Sequence, residues 1–178
     1  MAKGTQPRVA LEPDMQYVLA QWAVKVTAMA CNANSIPLQL SDEWRHEFFD
    51  GSGPHAPPVG SHVWLGRHRG IFEGHKVCLG LSRANPLRTA AGYHLPDFVL
   101  CTLSLDHLVV HVGLTGVHDR LDVAVPEIEN LGKYEPWLLK IWPAPNRSVI
   151  WPKGVSISNR DIFDLAHRTM GIRAFDAR

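Results

Sequence analysis

Five histidine and aspartate side chains crowd one short stretch of this sequence, Tyr93 to Leu114: His94, Asp97, Asp106, His107 and His111. They interrupt two apolar runs, Phe98 to Leu103 and Leu108 to Val112. Buried strands seldom carry so many such groups, so chemistry is expected first in this ribbon. An imidazole beside a carboxylate can act as general acid or base in hydrolysing a phosphodiester or an ester. Two imidazoles can also share a zinc ion. On a helix, the H-x-x-x-H of His107 and His111 would set both rings one turn apart, as a zinc site needs. The valines between and after them favour a strand instead. A strand separates the two histidines by about 13 Å along its length, whereas zinc–nitrogen bonds are about 2 Å. With no H-E-x-x-H and no paired cysteines, no metal site is expected.

Other catalytic signatures are missing. No G-x-S-x-G elbow presents a serine, and the glycines of GRHRGIFEGHK match neither common phosphate-binding spacing. Cys31, Cys78 and Cys101 are far apart and odd in number, which argues against a disulfide framework and for a reducing compartment. Cys78 and Cys101 fall mid-strand, where cysteine acts as a small apolar residue.

Residues Leu95 to Gly113 resemble nucleases of the PD-(D/E)XK superfamily. Pro96, Asp97 and Phe98 look like the Pro-Asp that opens one strand of that site, and Val110 to Gly113 stands where an acid-x-Lys follows on the next. The resemblance implies Asp97 as a ligand to a magnesium ion, the one cofactor in question, with Glu73 as a second carboxylate from upstream. Such carboxylates hold a divalent metal that activates water and steadies the phosphate. The chain departs from the pattern at His111, where a carboxylate is expected, and at Gly113, where the lysine is expected.

Features suited to holding a partner lie outside the ribbon. Trp142-Pro143 and Trp151-Pro152 each end an apolar run, since proline removes a ladder donor. Trp142 and Trp151 can close the core edge or form an aromatic patch for another protein. Between Arg67 and Arg88, five basic residues, among them Arg67 and Arg69, face one acid. That segment is the one place where nucleic acid could bind, because the formal net charge of the whole chain is only +1.

These residues need a scaffold. The chain has 178 residues, 46% hydrophobic and 20% charged, the balance of an ordinary globular domain with a sizeable core. No apolar run approaches the ~20 residues of a membrane helix, and the N-terminus lacks the apolar core of a secretory signal. A helix is predicted over 13–33, with Met15, Val18, Leu19, Trp22, Val26, Met29 and Ala30 on its core-facing side. A short helix is predicted over Ser41 to Asp50, and residues 51–61 form a Gly/Pro loop. Strands follow at His62–Leu65, His75–Leu81, Asp97–Leu103, His107–Val112, Trp137–Trp142 and Ser148–Trp151. A short helix is predicted over Glu127 to Leu131. A final helix is signalled by the capping box of Ser158 and Asp161 and the stripe Ile162, Leu165, Ala166 and Met170.

The expected architecture is α/β or α+β: one domain over 1–178, with a central mixed sheet of about five or six strands under N-terminal and C-terminal helices. It comprises a helical part to residue 50, the loop, and a β-rich part from 62 to 178. The expected function is a non-enzymatic cytoplasmic module that binds a protein partner or joins a larger assembly through Trp142, Trp151, Arg67 and Arg69. The alternatives are a nuclease-like domain using Asp97 and Glu73, or a hydrolase using His107 and His111.

Overall fold

Alternation of apolar residues along the strands decides how this molecule is layered. The computed structural model describes residues 8–35, 56–58, 60–69, 76–82, 87–88, 94–95, 98–115, 127–128, 131–143, 147–167 and 172–173. Helix α1 spans Pro13–Ala33 and helix α2 spans Asn159–His167. The strands are β1 (Val9–Leu11), β2 (His62–His68), β3 (Lys76–Ser82), β4 (Leu87–Arg88), β5 (His94–Leu95) and β6 (Phe98–Leu105). They continue with β7 (Leu108–Thr115), β8 (Glu127–Ile128), β9 (Leu139–Trp142), β10 (Val149–Trp151), β11 (Ser156–Ile157) and β12 (Ile172–Arg173).

The main sheet has six strands in the order β11-β2-β7-β6-β3, with β9 also paired to β2. Only the β11–β2 pairing is parallel; the other pairings are antiparallel. Separate two-stranded ribbons join β1 to β10, β8 to β12 and β4 to β5. The chain is thus a mixed α+β protein built on a central sheet, as its sequence predicts.

Strands β6 and β7 form a hairpin through the two-residue turn Asp106–His107. Asp106 takes a φ of 52°, a left-handed conformation that aspartate tolerates better than most residues. This short turn fixes the register, placing Thr102 opposite His111 and Cys101 opposite Val112. Side chains on a strand alternate between faces. On β2, β6 and β7, one face therefore carries Val63, Leu65, Val99, Cys101, Leu103, Val110 and Val112, and packs against Ala20, Ala23, Val24 and Cys31 of α1. The other face carries Trp64, Leu100 and Val109, and packs with Leu131, Tyr134, Leu138, Ile157 and the α2 residues Ile162 and Leu165. The two helices lie on opposite faces. Each large aliphatic side chain sealed this way contributes roughly 1.5–3 kcal/mol.

Helix α1 begins at Pro13, whose missing N–H is no loss in the first turn, with Asp14 beside the positive end of the helix dipole. It ends at Asn34, which returns its backbone N–H (3.1 Å) and side-chain amide (2.8 Å) to the Ala30 carbonyl. Ser35 follows at a φ of 54°. Its buried side corrects the expectation from sequence. Gln16, Ala20, Ala23, Val24, Thr27 and Cys31 are buried, while Met15, Val18 and Met29 are exposed. Leu19, Trp22 and Val26 of the expected stripe are half-buried and pack against this core, so only part of the stripe turns outward; the closest approach to the sheet is made by small side chains. Gln16 is tolerated inside because its amide donates to the carbonyls of Leu11 (2.8 Å) and Arg147 (3.0 Å). It ties the helix to the β1–β10 ribbon.

Two further local outcomes matter. Residues Glu127–Ile128 form a strand paired with β12, and a 3-10 turn follows at Gly132–Tyr134, in place of the helix expected over 127–131. Pairing with a distant strand overrides local preference there. The α2 capping box forms as predicted. The Ser158 N–H donates to the Asp161 carboxylate at 3.1 Å, and the Asp161 N–H returns to Ser158 Oγ at 3.4 Å. The predicted helix over 41–50 and the last residues of the α2 stripe, Met170 and Gly171, lie outside the described residues.

Candidate functional site

The face of the sheet turned toward α2 collects the polar side chains. Even-numbered positions of β2 and β6, and odd-numbered positions of β7, share it. They include His62, Trp64, His68, Thr102, Ser104 and His111, all of them buried. His111 is wholly enclosed. Its Nδ1 lies 2.9 Å from Thr102 Oγ1, its partner across the hairpin. Its ring centroid is 5.6 Å from that of Trp64, tilted by 40°. His62 stacks on Trp64 at 5.6 Å and 15°. The Lys140 ammonium approaches the same indole to 5.9 Å, close enough for a cation–π attraction. His68 Nε2 lies 2.8 Å from Asn159 Oδ1, fastening the end of β2 to the start of α2.

Burial sets the charge state of this cluster. It pushes His111 down to about 3. His62 falls to about 4, first through burial and then through the charge of Lys140. Both imidazoles are therefore neutral at physiological pH. Among the described residues, His111 Nε2, His62 Nδ1 and Ser104 Oγ have no hydrogen-bond partner. The His111 imidazole is enclosed beside Trp64 and Thr102, away from the protein surface.

His107 sits elsewhere. It lies in the exposed hairpin turn, its Nε2 3.9 Å from Asp106 Oδ1, a surface contact of small energetic weight. The structure does not bring His107 and His111 into one cleft: the first faces water and the second the core. Asp97 and Glu73 lie outside the described residues, and with them the carboxylate pair of the nuclease-like reading. Among the described residues, no three His, Cys, Asp or Glu side chains converge as metal ligands. Cys31 is buried, its thiol pushed up to about 11 by that burial, and Cys101 is buried in the face toward α1. Neither is disposed to act as a nucleophile.

The expected binding residues divide in the same way. Trp142 is half-buried at the edge of the α1 core, edge-on to Tyr17 with centroids 5.8 Å apart. Trp151 packs on the same core, and its buried indole nitrogen has no partner among the described residues. Arg67 is half-buried, and its buried Nε has no partner among the described residues. Arg69 is exposed, and its backbone N–H donates to Ile157 at 2.8 Å.

The surface that sequence reasoning missed is the outer side of α1. Val18 is 60% exposed, Met29 62% and Met15 45%, with Trp22 and Val26 half-buried between them. The signal was present in the small residues at 20, 23, 27 and 31, which recur at helical spacing and mark the inner side. Among the described residues, no helix is long and apolar enough to cross a membrane.

Fold and site together define a sheet protein in which His111 is enclosed in the core, His107 lies in an exposed turn, and α1 carries exposed apolar residues. No family model, curated protein or solved structure matches the chain.

Proposed function

We propose that this chain is a non-enzymatic module that holds another polypeptide against the outer side of α1, as one part of a larger assembly. The supporting observation is a group of apolar residues on one side of α1, with Met15, Val18 and Met29 exposed and Trp22 and Val26 half-buried between them. Single exposed apolar residues are ordinary on a protein surface, whereas a cluster of them supports an interaction site. The partner that suits it is an amphipathic helix presenting its own apolar side, which ridge-into-groove packing accommodates. Trp142 and Trp151 act behind this surface by supporting the sheet beneath α1.

A photoreactive residue at position 18 tests the reading in the full-length chain in its own cells. The expected result is one discrete adduct with an identified polypeptide, lost on Met29→Asp and not formed from position 133 on the opposite layer. Equal adducts from positions 18 and 133, or no adduct from position 18, would contradict it.

A further inference from the structure

The two layers that cover the sheet differ in which of their buried groups can take up a proton. On α1 the buried polar side chains are Gln16 and Thr27, and the Cys31 thiol, pushed up to about 11 by burial, stays neutral throughout the acid range. Toward α2 the sheet encloses two imidazoles, His62 and His111. Among the described residues, the groups around them supply no counter-ion. From β9 comes the Lys140 ammonium, which lies 5.9 Å from the Trp64 ring and opposes a proton on His62. From β6 comes the Thr102 hydroxyl, 2.9 Å from His111 Nδ1. The carboxylates of the covering layer are engaged elsewhere. Asp161 accepts from the Ser158 N–H at 3.1 Å, and Glu135 accepts from the Leu131 N–H at 2.9 Å. Asp164 accepts from the Tyr134 hydroxyl and from Lys133 at 2.9 Å. His68 is tied to Asn159 Oδ1, an acceptor that suits its ring in either charge state. Arg160 and Lys153, the other cations of this layer among the described residues, are exposed.

We propose that acid releases α2 and the turn Gly132–Tyr134 from the sheet, baring Trp64 and both imidazoles, while α1 and the sheet stay packed together. A proton on His111 makes both ring nitrogens donors. Nδ1 can still donate to Thr102, whereas Nε2 is buried with no acceptor among the described residues. A buried charge without a partner is costly, and opening this layer returns both rings to water. Linkage gives the size of the effect. The ordinary value of 6.5 is restored on opening, against about 4 for His62 and about 3 for His111 when enclosed. As pH falls from 6.5 toward 4, each imidazole therefore favours opening by about tenfold per pH unit. Together they shift the balance roughly 10,000-fold by pH 4.5. The α1 layer gains no such shift, because its contact with the sheet is made by Ala20, Ala23, Val24 and Cys31 on valines and leucines. Opening uncovers an apolar surface of Trp64, Leu100 and Val109 that the neutral protein keeps sealed. This device is independent of the partner proposed for α1, whose surface lies on the layer that stays in place.

The tryptophans report on both layers at once. Trp64 and Trp137 pack toward α2, and Trp22, Trp142 and Trp151 pack toward α1. Fluorine NMR of the full chain labelled with 5-fluorotryptophan follows all five as pH falls from 7 to 3, with each signal assigned by a single Trp→Phe variant. The solvent isotope shift of each signal reads its contact with water. Trp64 and Trp137 should become exposed at a pH at least about half a unit above that of Trp22, Trp142 and Trp151. Exposure of all five at one midpoint would overturn the inference, as would exposure of the α1 group first. The double variant His62→Gln, His111→Asn should move the Trp64 midpoint down by at least about one pH unit. An unchanged midpoint in that variant would also overturn it. Should the double variant not fold, the order of the five signals in the wild-type chain decides alone.

Discussion

The two faces of the central sheet are made by the same strands and solve different problems. Toward α1, the sheet presents Val63, Leu65, Val99, Cys101, Leu103, Val110 and Val112, an uninterrupted apolar surface against small helix residues. Toward α2, apolar side chains alternate with His62, His68, Thr102, Ser104 and His111. An apolar face depends on volume and shape alone. A face with buried polar groups depends also on hydrogen-bond partners and on protonation. The first therefore tolerates changes of condition that the second does not. Of the titratable groups that draw the eye in the sequence, His111 belongs to the second face, where it is enclosed in the core.

Acid should separate the faces most strongly. In the fold His62 and His111 sit at about 4 and about 3, both below the ordinary value of 6.5. The unfolded chain therefore takes up these protons first. Above pH 6.5 the two groups leave stability unchanged. Stability falls as pH drops from 6.5 toward 4 for His62 and toward 3 for His111. By pH 4.5 the pair should cost about 5 kcal/mol. Urea unfolding across that range measures the loss, and His111→Asn should roughly halve the slope; an unchanged slope would remove His111 from the account.

Steric crowding on the α2 face comes next. A Cβ on Gly66 would lie 2.6 Å from Ile157 Cδ1 and 2.8 Å from Leu138 Cδ2, both buried side chains. Gly66→Ala should cost about 1–3 kcal/mol through overpacking, read as a lower urea midpoint. A midpoint equal to wild type would show that the layer above β2 is looser than described. Thr102→Val keeps shape but leaves His111 Nδ1 without its partner, and should cost about 1–2 kcal/mol by the same assay.

The smallest effects belong outside both faces. Val18→Asp and Met29→Asp should change the stability of the monomer by no more than about 0.5 kcal/mol, measured by thermal unfolding at low concentration. A large loss would mean that the stripe is part of the core after all.

Much of the fold was legible because its signals are local. Pro13 and Asn34 bound α1, Ser158 and Asp161 cap α2, and alternation marks the longer strands. The hairpin could have been taken further. A two-residue turn at Asp106–His107 dictates that 102 faces 111, so the Thr102–His111 contact follows from counting outward from the turn. The side of α1 that is buried was not legible from hydrophobicity, because the sheet selects small residues over large ones. Strands of two or three residues, such as β1, β8 and β12, exist only through distant partners and leave no periodic trace. The meeting of His62, Trp64 and His111 likewise depends on β2 lying beside β7, a pairing between segments more than forty residues apart.

Whether His111 is sealed in the core or available for chemistry decides the whole account, and its ring can report this directly. Proton NMR of the His111 Cε1–H across pH 3 to 8, assigned by comparison with His111→Asn, should show no titration until the pH falls toward 4, where unfolding competes. A midpoint near 6.5 in the folded protein would contradict the account. It would mean that water reaches this imidazole, and that the histidine face is a working surface rather than a buried one.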